Sequence, residues 1–350
     1  MSSPYENLPR TAFWRTGVVG QNPEAIAGLY TPRFTFDRST PIATSGSCFS
    51  QHLSRYLRAR GFAVVDTEPP PPGLSEEDAG RFGYGIFSAR YANIYTARQL
   101  KQVVQEAFGQ FTPQDAVWEK DGRYYDAMRP SVEPEGLSSP QTVREHRAHH
   151  LSRVRETIQS AEVFTFTMGL TEAWTHAASG TTYPTAPGTL AGSHDPEVHA
   201  FRNFTFLEIY EDLKEFFALA RAQNPKLKFL LTVSPVPITA TMSGEHVLSA
   251  SVYTKSVLRA VAGQLYKEDA GVDYYPGYEI VTGALAKGQF YNDNLRTIRP
   301  EGVAAAMACF LGEHAGEAMP VPAPTPEQAP LQSAAEDVVC EDIILDMFAR

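Results

Sequence analysis

The sequence predicts an α/β protein built on a doubly wound parallel sheet, and three observations point there. Val163-Phe164-Thr165-Phe166-Thr167-Met168 and Phe229-Leu230-Leu231-Thr232-Val233 are short, largely apolar, β-rich runs that end in Gly169 and in Ser234-Pro235. Runs of this kind read as strands covered on both faces. Stretches of helical spacing separate the strands, and such alternation defines the class. Finally, Gly46-Ser47-Cys48-Phe49 lies where a strand-like run meets a helix-like one.

Pro41-Ile42-Ala43-Thr44 reads as the end of a first strand. Phe49, Leu53, Tyr56 and Leu57 then recur at helical spacing up to Gly61, a C-cap. The first forty residues carry prolines, aromatics and turn signals and are expected to wrap a larger body. Asp66 to Gly80, with four prolines and five acids, reads as a surface loop. Ala97 to Phe108 reads as a helix, and Trp118 to Pro130 holds an Asp121-Gly122 hairpin signal between aromatic flanks. Pro140 to Ser160 reads as a polar helix. Leu207 to Ala222, Val252 to Tyr266 and Glu301 to Leu311 follow as helices, with Val272 to Tyr275 as a strand. Residues 1–312 thus form the body, 313–333 a Pro/Ala-rich linker and 334–350 a short acidic amphipathic helix. That last helix either docks on its own domain or binds a protein partner.

Composition narrows the function. The chain has 350 residues, 43% apolar and 20% charged, as in an ordinary globular protein. A net charge of −10 argues against nucleic acid and against an anionic membrane surface. Cys48, Cys309 and Cys340 are odd in number and lack CxxC spacing, so neither a disulfide framework nor a zinc site is expected. The histidines show no metal-ligand spacing; His149 and His150 are simply adjacent. Met1 to Glu6 has neither a basic nor an apolar signal-peptide region, and no run approaches the length of a membrane span. The expectation is a cytoplasmic protein with no metal and no membrane span.

At the Gly46–Phe49 junction a serine and a cysteine stand side by side over a helix N-terminus, where the positive end of the dipole favours a thiolate or an oxyanion. An α/β fold puts its nucleophile at such a turn. The competing reading is a buried cysteine acting as a small hydrophobe.

Further segments complete a pattern. They are Ala12-Phe13-Trp14-Arg15, Ala92-Asn93-Ile94-Tyr95-Thr96-Ala97, Met168-Gly169-Leu170-Thr171-Glu172-Ala173-Trp174, Thr232-Val233-Ser234-Pro235-Val236, Tyr275-Pro276-Gly277-Tyr278-Glu279-Ile280 and Phe290-Tyr291-Asn292-Asp293. With Gly46-Ser47-Cys48-Phe49, they resemble the GSCFA family, an α/β group that is itself similar to the SGNH (GDSL-like) ester hydrolases. The resemblance runs from about residue 12 to about residue 311 and leaves out the tail. It implies a flavodoxin-like, three-layer sheet of SGNH-hydrolase type with its site at the C-terminal edge.

It also implies roles. Cys48 takes the nucleophile position, with Ser47 where SGNH enzymes carry aspartate, after Gly46. Gly169-Leu170-Thr171-Glu172 looks like the oxyanion block, with donors from the Cys48 N–H and a Gly169 N–H or Thr171 hydroxyl. Glu172 would orient a histidine or bind a substrate hydroxyl. The closing Asp-x-x-His block is not matched: Asp293 is present, but Arg299-Pro300 stands where related sequences carry His-Pro. His194 is the first candidate for the base, ahead of His52, one helical turn after Cys48, and His176. Asp293 either orients the base or pairs with Arg296 or Arg299.

The expected activity is ester or thioester acyl chemistry, as hydrolase or O-acyltransferase, on a small molecule or a saccharide. No resident cofactor is expected, although acetyl-CoA or another acyl-CoA would serve as donor. The alternative is an inactive glycan- or acyl-binding module whose tail recruits a partner.

Overall fold

The computed structural model describes residues 3–26, 28–316, 345, 347 and 348. These divide into two compact units. The larger comprises Arg38–Tyr274 with Leu345, Met347 and Phe348. The smaller comprises the residues up to Asp37 and those from Tyr275 to Gly316.

In the larger unit, β1 (Ile42–Gly46) leads through Ser47 into α2 (Cys48–Ala59). The helix ends against Gly61, whose φ of 74° is the left-handed value glycine supplies at little cost. β4 (Val163–Met168), β8 (Lys228–Val233) and β9 (Val272–Tyr274) complete a parallel sheet in the order β1-β4-β8-β9. Val64 makes a parallel bridge to Ile42 on the outer side of β1. The chain therefore steps first to one side of β1, and later to the other side for β4, β8 and β9. That order is consistent with a flavodoxin-like arrangement, whose switch point falls between β1 and β4. Gly46 pairs with Thr167, and Thr167 pairs with Thr232, along the C-terminal edge.

Helices cover the sheet because their apolar stripes match it. α2 packs on β1 and β4, and α7 (Val247–Glu268) on β8 and β9. α6 (Phe206–Gln223) contributes Phe216 and Phe217, which meet Phe164 and Phe229 with ring centroids 4.2–5.4 Å apart. α4 (Ala97–Ala107) packs on α6 and on α5 (Pro140–Ser160). Capping boxes, Thr96 with Gln99 and Thr205 with Glu208, start α4 and α6. Ser139, whose side chain accepts the Thr142 N–H, and Pro140 start α5 where the sequence places it.

The Asp121-Gly122 signal gives the hairpin of β2 (Val117–Lys120) and β3 (Arg123–Asp126), both turn residues at positive φ. A second, antiparallel sheet has no counterpart in the sequence reading. It is β6 (Thr182–Tyr183), β5 (Glu172–His176) and β7 (His199–Asn203), in that order.

The Asp66–Gly80 reading is corrected. α3 (Glu76–Arg81) begins inside that stretch behind Ser75, whose side chain caps Asp78 N. Thr67 and Glu68 are buried rather than on the surface. Glu68 lies 2.7 Å from His150 Nδ1 and 3.6 Å from Arg129. Arg129 and Arg147 both pair with Asp126, and Arg147 also pairs with Glu106. Burial works against the Glu68 carboxylate, but the His150 hydrogen bond and the Arg129 charge outweigh it and hold the group down to about 2.

The smaller unit holds a 3₁₀ turn at Arg10–Ala12, α1 (Trp14–Gly17), α8 (Gly277–Thr282) and α9 (Pro300–Ala315). α9 runs past the expected boundary at 312 and ends at Gly316, φ 64°. The N-terminal segment packs on it: Phe36 N donates to His314 O at 3.1 Å, and the Phe36 and His314 rings stack at 5.0 Å. The expected tail helix, apart from Leu345, Met347 and Phe348, and most of the linker lie outside the described residues.

Candidate functional site at the sheet switch point

Gly46, Ser47 and Cys48 sit at the fork between β1 and β4. Gly46 has φ 137°, and a Cβ there would fall 2.6 Å from Thr167 O, so neither the backbone nor the space admits a side chain. Ser47 is the N-cap of α2, yet its hydroxyl makes no capping bond. Instead Ser50 turns back, its Oγ donating to Ser47 O at 2.6 Å. Ser47 Oγ is buried and without a hydrogen-bond partner among the described residues. Cys48, 6% exposed, is the first residue of the helix.

Across the fork, Gly169 touches this turn: a Cβ on it would lie 2.8 Å from Ser47 Cβ. The structure thus brings Gly46, Ser47, Cys48 and Gly169 together. The expected donors of the oxyanion block have other partners. Gly169 N–H donates to Tyr95 O at 3.0 Å, and Thr171 Oγ1 lies 2.9 Å from Thr254 Oγ1, fully buried.

A cleft of about 270 Å³ opens from Leu170, the residue after Gly169. Its walls are the loop after β4 with β5 (Glu172, Trp174) and the loop after β8 (Ile238, Thr241, Met242), with Leu345 and Phe348 also at its edge. It therefore lies at the C-terminal edge of the parallel sheet, where open α/β sheets bind ligands. Glu172 is 8% exposed and accepts a 2.8 Å bond from Thr241 Oγ1. Burial pushes its carboxyl above the usual range, and Glu245 adds to that against the Thr241 bond.

The histidines part company. His52 lies one turn along α2 from Cys48, edge-on to Phe49. Burial, with Arg55 nearby, brings its pKa down to about 4, so it is neutral at pH 7. His194 is exposed on the loop between β6 and β7, its ring 4.8 Å from the cleft residue Trp174. His176 ends β5 and accepts the Ser179 N–H at 3.3 Å. His150 belongs to the Glu68 pair already described. Asp293 and Arg296 belong to the smaller unit, on a loop closed by the Tyr291–Ile298 bridge. Asp293 is fully exposed, 3.6 Å from Arg299.

The sequence reading missed Lys255. It is buried in α7, and its Nζ donates to Gly169 O at 2.7 Å. A lysine on an amphipathic helix reads as a solvent-facing residue, so no local signal marks it. Among the described residues no group of three or more His, Cys, Asp or Glu is placed to hold a metal, and no helix is long and apolar enough to cross a membrane.

Comparison with known proteins agrees with the motif pattern. The model of the GSCFA family matches residues 41–310, from β1 into α9. No curated protein and no solved structure matches the chain. The chain belongs to the GSCFA family.

Proposed function

We propose that this protein performs acyl chemistry on an ester or thioester, with Cys48 as the nucleophile. The observation that carries the proposal is the Gly46-Ser47-Cys48 turn at the β1/β4 switch point, beside a cleft that starts at Leu170. The Cys48 thiolate adds to the acyl carbonyl, and the carbonyl oxygen takes the negative charge. Collapse expels the alkoxide or thiolate of the substrate, which takes up a proton, and leaves an acyl-Cys48 thioester. Water or an acceptor hydroxyl then attacks that thioester and frees the thiolate. Helix α2 favours the anions through its dipole. His52, one turn along α2 from Cys48, is neutral at pH 7, and a pKa of about 4 makes it a weak base, so the leaving group takes its proton from water. The likeness to SGNH hydrolases belongs to this proposal, and so does a saccharide acceptor.

Two observations favour a second reading, a binding module for a glycan or acyl group. Cys48 is 6% exposed, and the Gly169 amide is taken by Tyr95.

The test is turnover of 4-nitrophenyl acyl esters and acyl-CoA, with and without a sugar acceptor. The acyl-chemistry proposal expects activity that falls by ~10³-fold or more in Cys48→Ala. Saturable binding of the same acyl groups without turnover would favour the binding module.

A further inference from the structure

Helix α7 ties down both loops that wall the cleft. Ser251 Oγ accepts from Ile238 N at 3.4 Å, on the β8 side. Thr254 Oγ1 meets Thr171 Oγ1 at 2.9 Å, on the β4 side. Lys255 Nζ meets Gly169 O at 2.7 Å. Of these three, Lys255 alone holds Gly169, which lies too close to Ser47 to admit a side chain.

The bond acts on a peptide gripped from both ends. The Gly169 carbonyl accepts from Lys255, while the Leu170 N–H on the same peptide donates to Tyr95 O at 2.9 Å. The Gly169 N–H donates to the same Tyr95 oxygen at 3.0 Å. A peptide bonded on both edges is polarised and has little room to rotate. Lys255 is 3% exposed, so its amine meets the Gly169 carbonyl inside the packed face of α7 and not from solvent.

We propose that Lys255 is a positioning residue for the Cys48 site, fixing Gly169 against Ser47 and so setting the width of the switch point where the acyl carbonyl would sit. The inference rests on the acyl-chemistry reading. Its action is through Gly169 and not by contact with substrate. Displacements of about 1 Å in a reacting geometry cost on the order of a hundredfold in rate, so a loosened Gly169 is felt at Cys48.

The test is the peptide-resolved rate of Cys48 acylation by 4-nitrophenyl acetate, with thermal unfolding measured in parallel on the full chain. Lys255→Met keeps the unbranched stem and loses the donor; Lys255→Arg keeps a cationic donor. Thr254→Val cuts the neighbouring tie to Thr171 and reports what general loosening of α7 does. Cys48 in Lys255→Met is expected to react at least about tenfold more slowly than wild type. Lys255→Arg should recover most of that loss, and Thr254→Val should lower the unfolding temperature with little change in Cys48 rate. Lys255→Gln carries the comparison if the methionine variant does not fold. A wild-type rate in Lys255→Met, or an equal slowing in Thr254→Val, overturns the inference and leaves the acyl-chemistry reading standing. An inert Cys48 in the wild-type protein removes that reading, and this inference with it.

Discussion

Glu172 shows how one side chain joins fold and site. It starts β5, lines the cleft and is held by Thr241. Its carboxyl is raised by burial, so the folded state holds the proton more tightly than the unfolded chain. Its contribution to stability is full below the unfolded pKa of about 4.3 and is lost as pH rises through the folded value. Glu172→Gln keeps an acceptor for Thr241 and removes the charge. The variant is predicted to match wild type near pH 4 and to be the more stable at pH 7, as read by urea midpoints at both pH values. Equal midpoints at pH 7 would contradict the assignment. Cys309 supplies a contrast. Burial, and then Glu313, push its thiol up to about 12, so it should stay unreactive under conditions that alkylate Cys48.

Among the elements, the β1–α2 turn was the most legible part of the site. A glycine after an apolar run, two small polar residues and a helical repeat define it locally, and local patterns survive folding. Its partner was half legible. β4 announced itself as an apolar run ending in Gly169, but the contact of Gly169 with Ser47 is tertiary. Gly169→Ala would push a methyl to 2.8 Å from Ser47 Cβ. Overpacking of this kind costs about 1–3 kcal/mol, and denaturant titration should show it. The antiparallel β5–β7 sheet was illegible because its strands carry Glu172, His176, His199 and Arg202 with no clean apolar alternation. Glu68 was illegible for the opposite reason: a Pro-rich acidic run reads as solvent-facing, and only the fold brings Arg129 and His150 to it. Glu68→Gln removes one of the two carboxylates beside Arg129, leaving Asp126, and is predicted to cost about 1–3 kcal/mol. The wild-type contribution is present above pH ~4.3 and lost as pH falls through about 2, so the gap between the two proteins should narrow in acid.

On the scale of the whole molecule, the strand order was legible in outline. Apolar runs alternating with helical stretches lead to a parallel sheet, and the pairing Val64–β1–β4–β8–β9 realises it. The division into two units was not, because residues up to Asp37 join residues beyond Tyr275 across more than two hundred positions of chain. Asp293 and Arg296, drawn into one site on family pattern, lie in the smaller unit, while Cys48 and the cleft lie in the larger. Leu345 and Phe348 at the cleft edge give the tail a measurable role. A chain ending at Gly316, where α9 has its left-handed cap, is predicted to keep the wild-type Cys48 alkylation rate, because the turn itself is built by β1, α2 and β4. A rate that collapses on truncation would place the tail within the site.

The central claim is a covalent one, and intact-mass spectrometry tests it directly. The protein is incubated with an activated acyl ester and, separately, with acetyl-CoA, as wild type, Cys48→Ala and Ser47→Ala. Acyl chemistry at Cys48 predicts a single added acyl group in wild type and Ser47→Ala that is absent from Cys48→Ala. An adduct that persists in Cys48→Ala, or no adduct in any of the three, would contradict it.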